Sequence, residues 1–350
     1  GGPSSALAVG GQAGPGARVA TTQEWTTPSA SFMKLNQGQV YYNSGSNAFK
    51  VTQQLAPAGT WSSGGSMSTA RAQVAGAGSQ GAGIVAGGSG PPPGSQNAEL
   101  YNGSTWAAAG GNLSGIARRL QAGTGGGSQN SAISIGGYSA PPSPNGTLNL
   151  VEKWDGSSWS EVSEISTARY QAMGGGASNQ SAITAGGETA AAGETANTEV
   201  WDNSSWTESG NLSSARTQCA GGGPVTSAMC VSQSGSPKGI VSIFNGSSWS
   251  DVTELNTDRQ AVMAMISNDT AGTVAGGTGP ASPNSALTET WNGTAWTEVA
   301  DLASGRYNGT GVGISTEGFV AGGGTSATGT TTTEEWTVPA STLNQTIGTS

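Results

Sequence analysis

The sequence predicts an all-β fold, a propeller built from four-stranded antiparallel blades, and three observations carry that expectation. A self-similar unit returns at intervals of 43 to 51 residues, most often 47. In five units a tight-turn dipeptide such as Asn-Gly or Asp-Gly lies between an aromatic residue and a Trp five positions later. Five units also carry, ahead of that hairpin, a short alternating strand ending in Gly-Gly. Four short strands joined by turns at such a period describe a propeller blade rather than a sandwich.

Composition agrees. The 350 residues include 59 Gly, with a hydrophobic fraction of 34% and a charged fraction of 9%, against usual values of roughly 45–50% and about 25%. Eleven Trp and a net charge of only −9 argue against disorder. In a propeller the innermost strands converge on the axis, where only small side chains fit, and Gly-Gly lets the next strand end in a sharp bend.

In chain order, residues 1–30 read as a half-blade or the tail of a preceding propeller. Ala8-Val9-Gly10-Gly11 and Glu24-Trp25 repeat the pattern of Val320-Ala321-Gly322-Gly323 and Glu335-Trp336. Residues 31–56 read as a linker with a β-hairpin, since Gln39 to Thr52 alternates and turns at Asn43-Ser44-Gly45. The propeller occupies 57–338 and a C-terminal tail 339–350. It opens with an outer strand around Trp61, and its last unit has three strands but no terminal Trp. Trp61 supplies the missing piece, so an N-terminal outer strand clasps a ring of six blades; counting the N-terminal half-blade into the ring gives the alternative of seven.

Each full unit repeats the hairpin. Its Trp is Trp106, Trp159, Trp206, Trp249 or Trp296, and about ten residues after each Trp, including Trp61, comes an Arg: Arg71, Arg118, Arg169, Arg216, Arg259 or Arg306. Glu99, Glu152, Glu199, Glu289 and Glu334 recur two residues before the unit aromatic, so a periodic carboxylate is available to pair with the Arg series. These Arg and Trp residues are therefore read as structural. The rival reading of the Arg series is a basic ring that grips an anionic sugar or phosphate. The fourth unit departs from the pattern, with Ser232-Gln233 in place of Gly-Gly.

An apolar strand ending in Gly-Gly, then a spaced aromatic, then Trp, with Arg opening the following strand, resembles the kelch repeat over roughly residues 57–338. Trp or Phe stands where that family more often has Tyr. The Gly/Ser/Thr-rich, low-charge flavour of runs such as Asn211-Leu212-Ser213-Ser214-Ala215-Arg216 resembles kelch-type repeats in virion proteins of marine tailed bacteriophages.

Function classes narrow by chemistry. With no His, the Ser-His-Asp and Cys-His arrangements are absent, and so are His-held metals; Cys219 and Cys230 alone are too few thiolates for a zinc site. The copper chemistry of kelch-like oxidases needs His ligands as well. Twelve basic residues against 21 acidic ones disfavour nucleic acid. No apolar run is long enough to span a bilayer as a helix. The two cysteines flank a short turn and are either bridged or two buried thiols. Sequons at Asn102, Asn203, Asn245 and Asn292 coincide with the hairpin turns. No catalytic residue, cofactor or metal is expected.

What remains is a scaffold with two unlike faces. Connections between second and third strands are long, variable and stiffened by Pro91, Pro92, Pro142 and Pro280, with Tyr138 among them; rigid scaffolds carrying such loops build binding surfaces. The expectation is a non-enzymatic virion structural protein, a tail-fibre, spike or decoration module at the virion surface. Its partners would be host-surface glycan or protein, or other virion proteins, with homo-oligomers forming through flanking regions. The alternative is a secreted, extracellular microbial adhesin or carbohydrate-binding propeller.

Overall fold

The computed structural model describes residues 5–12, 18–26, 40–43, 48–53, 59–89, 95–139, 146–190, 193–235, 238–280, 282–325, 329–339 and 343–346, with side chains described between 59 and 339. Two compact units result, Ala58–Pro339 and a second combining Gly1–Pro57 with Ala340–Ser350. In the second unit Ser5–Gln12 pairs with Arg18–Thr26. Val40–Asn43, Ala48–Gln53 and Leu343–Thr346 form a three-stranded sheet, so part of the expected tail is a strand.

The unit Ala58–Pro339 is a six-bladed β-propeller of four-stranded antiparallel sheets, without helices among the described residues. From the innermost strand outward, blade 1 is Ala75–Ser79, Ala82–Ala86, Ala98–Tyr101 and Trp106–Ala108. Blades 2 to 5 follow the same plan and end at Trp159–Val162, Trp206–Glu208, Trp249–Val252 and Trp296–Glu298. Blade 6 takes Tyr307–Ile314, Glu317–Gly324 and Thr333–Thr337 from the C-terminal side, and Thr60–Ser63 from the N-terminal side as its outermost strand. Trp336 stands opposite Trp61 in that pairing. Their rings lie 5.1 Å apart, within the 4.9–5.6 Å range of the five hairpin pairs, so the clasp reproduces the contact that a covalent turn makes elsewhere. The ring therefore holds six blades, not seven.

The core is distributed rather than central. Six apolar clusters fill the six seams between neighbouring blades. One, for example, joins Ile84 and Ala86 of blade 1 to Ala132 and Trp154 of blade 2. This concentrates a sparse apolar supply where two sheets face each other. The outer Trp residues add polar bolts. Trp249 Nε1 donates to Thr198 Oγ1 of the preceding blade at 2.9 Å, and Trp61 Nε1 to Thr288 Oγ1 at 3.0 Å.

Crowding at the axis is real but not uniform. A Cβ on Gly174 would collide with the Gly123 carbonyl of blade 2, and one on Gly311 with the backbone of Ala264 in blade 5. Yet the innermost strand of blade 5 carries Met263, Met265 and Ile266. These side chains turn sideways into the seams and are buried there, so the small-residue rule applies to axis-facing positions and not to the whole strand. In blade 2 the innermost strand is only Ala122–Gly123. The chain beyond it leans toward blades 1 and 6. Gly125 N–H donates to Gly76 of blade 1, and its carbonyl accepts from Gly313 of blade 6.

Candidate functional site

The turns joining first to second and third to fourth strands lie on one face, and the 2–3 and 4–1 connections on the other. On the turn face the third-to-fourth turns are five copies of one device. Asn102 Oδ1 accepts the N–H groups of Ser104 and Thr105 at 3.0 and 2.8 Å. Asp155, Asp202, Asn245 and Asn292 do the same two and three residues on. These side chains close the turn onto itself.

Five Arg residues form buried ion pairs with the Glu of their own blade: Arg71 with Glu99, Arg118 with Glu152, Arg169 with Glu199, Arg259 with Glu289, and Arg306 with Glu334. Each carboxylate also accepts a backbone N–H just upstream of its Arg, as Glu199 does from Ser166 at 2.7 Å. In three blades the guanidinium also donates to the carbonyls ahead of the third strand and at the end of the second: Arg169 Nη1 reaches Asn197 at 2.7 Å and Gly186 at 3.3 Å, and Arg71 and Arg259 make the matching bonds. Such a residue ties three strands of its blade together. Burial lowers Arg118 to about 10 against the opposing pull of Glu152.

The fourth blade solves the same problem differently. Ser242 replaces the Glu, and Arg216 donates to its hydroxyl at 2.8 Å while Asp251 of the outermost strand sits 3.5 Å from the guanidinium. Ser232 takes the left-handed conformation (φ 69°) that the first Gly of Gly-Gly holds elsewhere. Cys219 and Cys230 are unbridged thiols, the first half-buried and the second buried. Burial pushes the Cys219 thiol well up, and it donates toward Cys230.

The opposite face is where the sequence placed the binding loops. Pro91, Pro92 and Pro142 lie outside the described residues. Pro280 is exposed there. Tyr138 is half-buried against the Tyr170 ring, 5.4 Å away, with the Arg119 guanidinium 5.7 Å from its own centroid. It packs at the base of the connections and is not a protruding tip.

One feature of this face was missed from the sequence. The residue two positions after each Arg (Gln73, Leu120, Gln171, Gln218, Ala261 and Asn308) is left-handed, with φ between 53° and 61°. Around the axis these six, with Cys219, close a circle of backbone hydrogen bonds. Gln73 donates to Asn308, Asn308 to Ala261, Ala261 to Gln218, Cys219 to Gln171, Gln171 to Leu120, and Leu120 to Gln73. Non-Gly residues held left-handed cost about 1–3 kcal/mol each and persist where surroundings over-determine them. The signal was available: counted from the Arg, this position is Gln in three units and Asn in a fourth.

Concavities follow the circle. A cavity of about 80 Å³ lies at the axial mouth, one of about 100 Å³ lies among the innermost strands, and one of about 240 Å³ opens beside the mouth between the connections of blades 5 and 6. The last is lined by Gln218, Gln260, Pro283, Asn284, Tyr307 and Asn308, among others, with no charged side chain among the described residues. No protein-family model and no curated protein matches the chain.

Proposed function

We propose that this ring is a kelch-type, non-enzymatic structural module of a virion, a tail fibre, spike or decoration, that holds a host-surface molecule or a neighbouring virion protein. The observation that carries the reading is the contrast between its two faces. One is five copies of a self-closed turn. The other combines variable connections, a rigid polar mouth and the 240 Å³ cleft, and such preorganised, varied surfaces bind with little ordering cost. Amides and hydroxyls in that cleft suit recognition rather than bond-breaking chemistry. The virion assignment draws on the low-charge, Gly/Ser/Thr-rich repeats and the absence of His.

The test is to replace Ser89–Asn97 and Tyr138–Leu148 with short Gly/Ser connections. The ring stays folded, and particle assembly or adsorption to host cells falls. If both survive that exchange while substitutions at Asn102, Asn245 and Asn292 abolish them, the turn face is the working one. The uncharged cleft also favours a second reading, a secreted microbial adhesin or carbohydrate-binding propeller, and recovery of the protein from culture medium without particles supports that one.

A further inference from the structure

The cleft between blades 5 and 6 has the chemistry of a specific ligand class. Its lining includes the amide residues Gln218, Gln260 and Asn308, the phenol Tyr307, and Asn284, whose Oδ1 is a buried acceptor without a hydrogen-bond partner. Among the described residues these side chains make no hydrogen bond to one another or to the rest of the ring. The nearby cations are already committed, Arg259 to Glu289 and Arg306 to Glu334.

We propose that this cleft binds an uncharged saccharide, with one pyranose ring standing against Tyr307 and its hydroxyls divided among the surrounding amides. The proposal rests on the reading of the connection face as the binding face. An amide offers both donors and acceptors, as does each sugar hydroxyl, so a polyol can satisfy the whole wall at once. An anionic ligand would meet no available cation. An apolar one would strand the amides of Gln218, Gln260 and Asn308 away from water. The Tyr ring supplies an apolar face for the sugar C–H groups and a hydroxyl for its rim. Gln218, Ala261 and Asn308 line the axial mouth as well as the cleft, so a second sugar unit extends toward the axis, where Gln73 and Gln171 stand.

The experiment titrates the full chain with methyl glycosides of glucose, galactose, mannose and N-acetylglucosamine, followed by saturation-transfer NMR and calorimetry. At least one binds, and Tyr307→Ala and Gln260→Ala each weaken it tenfold or more. Tyr307→Phe, which keeps the ring packing, and Tyr138→Ala, remote on the same face, leave folding intact; the first weakens binding by a smaller factor and the second leaves it unchanged. Absence of binding by all four glycosides overturns the proposal. So does binding that survives both Tyr307→Ala and Gln260→Ala. Capture of a virion protein through Tyr307 without any glycoside binding overturns it in favour of a protein partner. Loss of adsorption on loop exchange without saccharide binding leaves the face reading standing and removes only the ligand class. Saccharide binding in a protein whose loop exchange changes nothing does the reverse.

Discussion

At the scale of single residues, a buried guanidinium and a buried carboxylate are each costly alone and tolerable together. Arg169 and Glu199 are both almost fully enclosed, so Arg169→Met leaves a carboxylate stranded and lowers unfolding stability by about 3–5 kcal/mol in denaturant titration. The double change Arg169→Met with Glu199→Leu recovers much of that loss, because no unpaired charge remains. The turn acids behave in the opposite way, being fully solvated. Hydrogen bonds from Ser158 and Ser157 hold Asp155 down to about 2, and those from Ser204 and Ser205 lower Asp202. A carboxyl lowered on folding contributes stability that is present above its unfolded value near 4 and is lost as pH falls through the folded one. Thermal unfolding from pH 5 to 2 therefore shows a slope that flattens in the double variant Asp155→Asn, Asp202→Asn. Asn already fills the same turn position at 102, 245 and 292.

Elements meet at the Gly-Gly pairs, which do more than bend a strand. Gly137 N–H donates to the Arg169 carbonyl of the next blade at 2.9 Å, and the preceding Gly136 lies so close that an added Cβ would stand 2.5 Å from the same oxygen. Gly136 is also left-handed, with φ 59°. Gly136→Ala is expected to cost about 1–3 kcal/mol, whereas Gly81→Ala, with open space around its Cβ position, stays within about 0.5 kcal/mol; calorimetric melting of the two variants checks this. The blade plan was legible because five units repeat a tight-turn dipeptide closed by Trp and five carry Gly-Gly, so each exception is covered by the remaining signals. Asp251 was not legible as the partner of Arg216, because a Ser replaces the expected Glu and the acid arrives from a different strand. The cleft at Gln260, Asn284 and Tyr307 was hidden for a related reason. It forms where positions from three blades converge, and the lack of internal partners for its amides is a property of three-dimensional placement.

For the molecule as a whole, one pairing decides whether six blades make a ring. Thr60–Ser63 is joined to blade 6 without a covalent turn, by strand pairing and the Trp61–Trp336 ring contact, and Trp61 packs into the last seam. Trp61→Ala removes a large side chain from that seam and costs about 3–5 kcal/mol. Deleting residues 60–63 exposes an open sheet edge and broadens the cooperative melt into separate transitions, read by calorimetry and hydrogen exchange. The register carries a mechanical meaning as well. Thr60, where the chain enters the clasp, faces Thr337, where it leaves. A force drawing those two points apart opens the ladder like a zipper, one rung at a time, and never loads its rungs together in shear. A force that tugs both points in the same direction loads no rung between these two strands, so the clasp stays shut while the ring hangs from its two ends as from a single hook.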